Sequence, residues 1–328
     1  MKPLNRRHFL KSASATGAGL LILPTGTLFG QNRPSNKLNV ALIGVWGRGL
    51  AHYNALRKEN VVALCDVNEL RFPDALKAFP GAKTYTDWRQ LLDKEVKNID
   101  AVVCCTPDHH HAHIAMWAMA RDKHVYMEKP IALTVEEARM VRAAYLKKRT
   151  KLATQAGTQR HAIPNFRRVR EMVRDGAVGN LQGVFAWGNR QLPKPGYYPD
   201  GGPVPAFLNW DLWLGVCRYR PFIGNGWYHP ANWRRRLDFG TGTFGDMGCH
   251  IFDPVFAALA LTAPVSVRSE GPAPNADSWA NNALIRYVFP ATRYTIPSRI
   301  PITWYDGNQR PPAAIRSLLA GQIGRAHV

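Results

Sequence analysis

Residues 38–49 read Leu38-Asn39-Val40-Ala41-Leu42-Ile43-Gly44-Val45-Trp46-Gly47-Arg48-Gly49, and residues 61–67 read Val61-Val62-Ala63-Leu64-Cys65-Asp66-Val67. Each opens as an apolar run of strand length. The first ends in a glycine-rich turn, and the second delivers an acid, Asp66, seventeen residues past Gly49. In a dinucleotide-binding turn the first glycine permits the sharp bend, the second lets backbone approach a pyrophosphate, and the third packs helix on strand. The following helix N-terminus faces the phosphates, and the acid accepts the ribose hydroxyls. Trp46 departs from this pattern because it stands where the second glycine belongs. Its indole must point away from the phosphates or move the turn, and Gly47 then supplies the close approach. Asp66 favours NAD, since a 2′-phosphate would meet its charge; Arg48 keeps NADP as the alternative.

Outward from this turn the same alternation continues. Strands are expected at 38–44, 61–67, 99–107, 124–130 and 151–157, and helices at 50–58, 69–79, 111–121 and 134–148, the last opened by the capping box Thr134-Val135-Glu136-Glu137. Strands alternating with helices at this spacing imply a parallel, doubly wound sheet. Near residue 165 the texture changes to one helix, 164–175, a strand, 181–191, and a loop rich in Gly, Pro and Trp, so a second domain is expected from there. After Ile296 clear periodicity is lost.

With 46% hydrophobic and 20% charged residues, the 328-residue chain reads as two globular domains with sizeable cores. Five cysteines, two of them in the apolar run around Cys104 and Cys105, predict no disulfide framework. The net charge of +20 is spread along the chain, with clusters at Arg167, Arg168 and Arg170 and at Arg234, Arg235 and Arg236. No nucleic-acid module accompanies it, so no nucleic-acid partner is expected; attraction to acidic glycans is the better use of such charge.

The chain opens with Arg6 and Arg7, then Phe9, Leu10 and Lys11 and a modestly apolar segment without acids. This has the format of a twin-arginine export signal. It predicts export of the folded protein through the twin-arginine machinery to the periplasm, or a membrane anchor if the signal stays uncleaved. At the other end, Ile323-Gly324-Arg325-Ala326-His327-Val328 reads as the translation of a sequencing adapter. The expected organisation is an export segment at 1–33, a dinucleotide-binding domain at 34–164, a substrate domain at 165–322 and a foreign tail at 323–328, with the final strands of the second sheet missing.

Three further segments carry a resemblance. Thr106-Pro107-Asp108-His109-His110-His111 follows the strand at 99–107, Glu128-Lys129-Pro130 ends the strand at 124–130, and Gly245-Asp246-Met247-Gly248-Cys249-His250 begins a helix. With the glycine turn, they resemble the Gfo/Idh/MocA oxidoreductases, of glucose–fructose oxidoreductase and inositol 2-dehydrogenase type, over about residues 38–265. Gly157-Thr158-Gln159-Arg160-His161, Asn209-Trp210-Asp211-Leu212-Trp213-Leu214-Gly215 and the His229–Trp233 stretch extend the resemblance to the exported, sugar-processing members.

The resemblance implies a Rossmann domain followed by an α/β domain with a large open, mostly antiparallel sheet, a homo-oligomer when full-length, and hydride transfer between tightly held NAD(P) and a hydroxyl of a sugar, cyclitol or glycoside. It assigns catalysis to Lys129, Asp246 and His250, with His250 as base, Asp246 orienting its imidazole and Lys129 on the reacting oxygen. It gives the cofactor Gly44, Trp46, Gly47, Arg48, Gly49, Asp66, Thr106, Pro107, His111, Glu128, Lys129 and Gln159, and the substrate Arg160, His161, Tyr228 and Trp233. It also implies that Glu128-Lys129-Pro130 separates this chain from the NAD-dependent exo-glycosidases of the same fold.

Blander readings stand beside these. The run His109, His110, His111 and His113 invites a metal, yet lacks acidic or cysteine partners at ligand spacing, so no metal is expected. Trp210, Trp213, Trp227, Tyr228 and Trp233 read equally as core packing or as a sugar platform. Two other functions compete with the dehydrogenase: a lyase or hydrolase running a closed oxidation, elimination and reduction cycle, and a non-catalytic carbohydrate-binding relic, for which Trp46 is the motive.

Overall fold

The computed structural model describes residues 37–188, 190, 200–229 and 232–318. The export segment and the suspected tail lie outside the described residues. Two compact units are distinguished, Met1–Leu38 and Asn39–Val328, and everything below concerns the second.

Its first half alternates strands and helices: β1 (Asn39–Ile43), a 3-10 turn at Gly47–His52 running into α1 (Tyr53–Leu56), β2 (Asn60–Cys65), α2 (Phe72–Ala78), β3 (Lys83–Tyr85), α3 (Trp88–Lys94), β4 (Ala101–Cys104), α4 (Asp108–Ala120), β5 (His124–Met127), α5 (Val135–Lys148) and β6 (Thr154–Ala156). All six strands pair in parallel in the order β3-β2-β1-β4-β5-β6. Strands buried on both faces read as unbroken apolar runs, and their period of two divides the core. Ala41, Ile43, Cys65, Val102 and Cys104 face Ile114 and Ala118 of α4. Val40, Leu42, Leu64 and Val103 face Tyr53, Leu56 and Phe79. The capping box forms as the sequence predicts, with Thr134 Oγ1 accepting from Glu137 N at 3.1 Å and Glu137 Oε2 accepting from Thr134 N at 3.1 Å.

The second half contains α6 (Pro164–Arg174), β7 (Val184–Trp187), α7 (Trp210–Leu214), a 3-10 turn at Asn232–Arg235, α8 (Gly242–Ile251), α9 (Asp253–Leu259), β8 (Ser266–Ser269), β9 (Leu284–Phe289), β10 (Ile300–Tyr305) and α10 (Ala313–Ser317). Among the described residues its sheet runs β7-β10-β9-β8, antiparallel except for the β7–β10 pair. Met247, Phe252, Ala258 and Leu259 from α8 and α9 cover Phe289, Ile300, Ile302 and Trp304. A separate aromatic core holds Trp210, Trp213, Tyr228, Trp233 and Phe239.

Three differences from the sequence reading have physical causes. Strand β3 and helix α3 were not anticipated, because β3 is three residues long and largely exposed. Helix α4 begins at Asp108, placing the histidine run in its first turn. Strand β10 lies where periodicity was expected to fade; Pro301 inside it argues against a central strand, yet β10 pairs on both sides.

Candidate active site

One cavity of about 490 Å³ runs from the glycine turn after β1, past the ends of β4 and β5, to α8 in the second half. It opens at the carboxyl ends of the parallel strands, where the strand order reverses between β1 and β4 and where such sheets bind ligands. Gly44 has a φ of +84°, and a Cβ there would stand 2.8 Å from the Cys105 carbonyl group. A Cβ on Gly49 would stand 2.1 Å from the Gly44 carbonyl oxygen, so the turn tolerates no side chain at either place. Gly47 has open space beyond its Cα and lines the cavity, as close approach of a pyrophosphate requires. Asp66 accepts from Val45 N at 3.1 Å and Asn68 N at 3.0 Å, which fixes its carboxyl at the cavity wall. Burial raises its pKa despite these two donors. The residues present therefore fit a dinucleotide.

Trp46 lines the same cavity, its indole held between side chains of both halves. The Arg71 guanidinium lies 3.9 Å over its ring, and His229 from the second half stacks against it at 6.4 Å between centroids. Arg48 is used differently from the sequence expectation. It donates to Glu128 Oε1 at 2.9 Å, and His52 contacts the same oxygen at 2.8 Å. Burial would raise Glu128, but His52 and Arg48 outweigh it and hold the carboxyl below its usual range. Arg48, the motive for NADP, thus gives its Nε to Glu128 while still lining the cavity.

At the inner end Lys129 Nζ donates to Asp246 Oδ1 at 2.7 Å and to the Asp246 carbonyl oxygen at 2.9 Å. Asp246 also faces Arg234 Nη1 at 3.2 Å and Arg190 Nη1 at 2.9 Å. Burial opposes its ionisation, and Arg234, Lys129 and Arg190 together reverse that and hold its pKa below the usual carboxylate range. Asp246 and His250 share α8 as their spacing predicts, but no hydrogen bond joins them, and His250 Nδ1 has no partner. The expectation that Asp246 orients the imidazole is corrected: Lys129 and the two arginines claim the carboxylate. Burial, then the charges of Lys129 and Arg160, push His250 down to about 4.

Other expected site residues divide into those at the cavity and those elsewhere. Thr106, Pro107, Glu128, Gln159 and Trp233 line it. His111 does not; its Nδ1 and Nε2 contact the carbonyl oxygens of Pro130 (2.5 Å) and Thr106 (2.8 Å), so it braces two cavity loops from behind instead of facing a cofactor. Tyr228 is fully buried in the aromatic core, which removes it from substrate contact. His161 is drawn to Asp253 at 2.8 Å outside the cavity, and Arg160 acts on His250 only through its charge. His109 and His110 are buried against Trp213, both contacting its carbonyl oxygen. Among the described residues no three His, Cys, Asp or Glu side chains converge as a metal site would need.

Asp108, Arg71, Arg190 and His229 are the site residues that the sequence reading did not assign. Asp108 stands inside the quoted Thr106–His111 motif, and its carboxylate accepts from Thr241 Oγ1 at 3.0 Å. Arg190 follows a strand that ends at the cavity, which is the signal that was available.

Two family profiles match this chain in succession: "Oxidoreductase family, NAD-binding Rossmann fold" over residues 38–156 and "Oxidoreductase family, C-terminal alpha/beta domain" over residues 177–293. The chain belongs to the Gfo/Idh/MocA oxidoreductase family. Among its curated relatives in the Gfo/Idh/MocA family, the rhizopine catabolism protein MocA of Rhizobium meliloti is 30% identical over 201 residues, 60% of either chain. A glycosyl hydrolase family 109 protein of Shewanella sp. strain ANA-3 is 32% identical over 166 residues, 42% of this chain and 36% of its own. This chain thus spans about a third of that relative's length. The expectation that this chain stands apart from the glycosidases of the same fold is therefore corrected: such proteins are among its relatives. Among solved structures, the WlbA dehydrogenase from Bordetella pertussis in complex with NADH and UDP-GlcNAcA superposes with a TM-score of 0.60 at 17% identity, covering 84% of this chain and 68% of that one. At that identity the likeness speaks for the fold.

Proposed function

We propose that this chain oxidises a CH–OH group of a sugar, cyclitol or glycoside, or reduces the corresponding carbonyl, with a tightly held NAD, and that it is exported by the twin-arginine route with the nucleotide already bound. The observation that carries the reading is the continuity of one cavity from the Gly44–Gly49 turn and Asp66 to Lys129 and His250. NAD, when bound, supplies the hydride acceptor. The glycine turn and Asp66 would hold it, and Thr106, Pro107 and Gln159 line the cavity between them and Lys129.

Two protons of Lys129 are spent on Asp246, which fixes the ammonium group and leaves its third N–H for the substrate oxygen. A fixed cation there stabilises alkoxide character as hydride departs. His250, neutral at physiological pH, takes the hydroxyl proton and, with a pKa of about 4, passes it readily to water.

Denaturing the purified protein and identifying the released nucleotide tests the first half of the reading, and a panel of sugars tests the second. NAD in the supernatant and formation of reduced nicotinamide with one sugar class are expected. Failure to take up NAD, bound or added, defeats the reading and returns the relic. Similarity to the family 109 glycosyl hydrolases favours a second reading, glycoside cleavage by a closed redox cycle; it predicts bond cleavage with no net change in the nicotinamide.

A further inference from the structure

The inner wall of the cavity carries more positive charge than its own acids absorb. Lys129, Arg190 and Arg234 converge on Asp246, and the one other carboxylate among the contacts described there, Asp108, faces Arg234 Nη1 at 3.4 Å. Three cations thus meet two carboxylates. Arg160 adds a further positive charge, which acts on His250 after burial and Lys129. The pyrophosphate of a dinucleotide does not answer this charge, because its glycine turn lies at the other end of the cavity.

The two guanidinium groups are also incompletely used. Each carries five N–H donors in a rigid fork. Among the described residues, the hydrogen bonds and ion pairs given for Arg234 and Arg190 engage Nη1. Arg234 lies 4.5 Å over the Trp233 ring, which holds its plane while leaving the Nε–Nη2 edge unspent. Arg190 is 46% exposed at its side chain, and both arginines line the cavity beside Lys129 and His250. An edge of two parallel N–H groups matches a carboxylate in bidentate fashion, and no hydroxyl of a neutral sugar answers it as well.

We propose that the substrate is an anionic sugar, a hexuronate or a glycoside bearing a carboxylate, which Arg190 and Arg234 clamp so that a ring hydroxyl meets Lys129 and His250. This rests on the reading of the cavity as a sugar-oxidising site. The carboxylate fixes the ring in the cleft by charge, and specificity follows from the bidentate, charge-assisted hydrogen bonds that a carboxylate makes to the two guanidinium edges and a neutral sugar does not.

The test uses the full chain loaded with NAD, titrated calorimetrically with D-glucuronate against D-glucose and with D-galacturonate against D-galactose, and assayed for reduced nicotinamide with the same four sugars. The expected result is that at least one uronate binds roughly tenfold to a hundredfold tighter than its hexose. That ratio falls toward one in Arg190→Gln and Arg234→Gln, and Arg190→Lys recovers only part of it, because an ammonium group keeps the charge without the fork. Ratios near one in the wild type overturn the proposal, as does a ratio that survives both glutamine substitutions or a failure of all four sugars to bind. Hexose oxidation without uronate preference removes the carboxylate clamp and leaves the oxidoreductase standing. Uronate binding without reduced nicotinamide removes the oxidoreductase and leaves the clamp.

Discussion

At Trp46 a side chain occupies the place of a missing one, and the structure turns that liability outward. Its backbone is extended, with φ of −120°, so the turn itself is undistorted and the indole closes on Arg71 and His229. A cation over an indole contributes about 0.5–2 kcal/mol, and Trp46, Arg71 and His229 all line the cavity. Trp46→Gly should therefore release NADH faster, by a factor of roughly two to thirty, in stopped-flow displacement. Slower release would mean that the indole obstructs the pyrophosphate instead of covering it. His250 carries a second expectation. Because its pKa is pushed from 6.5 to about 4, kcat/KM should show no histidine limb between pH 6 and 8 and should fall only as pH approaches 4. An acid limb near 6.5 would show that the base is another group or that the cleft is wetter than its burial implies. His250→Ala should lose on the order of a hundredfold to ten-thousandfold in turnover. Lys129, Asp246 and His250 were named through the motifs that carry the family resemblance, one at the end of β5 and one on α8, and all three line the one cavity. Tyr228 and His161 were misread because their fates depend on Trp210 and Asp253, partners that no local pattern reveals.

Helix α4 illustrates what element-scale patterning hides. Its first turn buries His109 and His110 among Trp213 and Phe239, and burial drives His109 well below 6.5 and His110 to about 4. A histidine whose folded pKa is depressed binds more protons when unfolded, so stability rises with pH between the folded and unfolded values. The protein should lose stability as pH falls from about 6.5 to about 4, before most carboxylates titrate; for His110 alone the loss is on the order of 3 kcal/mol. Thermal melts of the wild type against His110→Gln across that window check it, and an equal slope in both refutes it. Sequence periodicity identified α4 but placed its start at residue 111, because three consecutive histidines look like a solvated loop. It passed over β3, which is short and largely exposed, and α3, whose seven residues are too few to display a helical period although Leu91 and Leu92 are buried.

At the scale of the molecule, the first sheet was readable because doubly buried strands must be apolar throughout. The second was half readable: half-exposed strands such as Ser266–Ser269, exposed at every position, advertise nothing. Strand β10 has a consequence for the order in which the protein is made. It is the strand between β7 and β9, and Trp304 on it packs 5.1 Å from Phe244 on α8, the helix that carries Asp246 and His250. The ribosome thus emits both reactive groups some fifty residues before the strand that supports them. The nucleotide half, closed at β6 by residue 156, has all six strands of its sheet by then. A nascent chain stalled after α9 should already present the glycine turn and Asp66 while its α8 remains protease-sensitive. Protection of α8 would appear only when residues 300–305 have cleared the exit tunnel, so the cofactor's lodging is built before the workbench on which it is used.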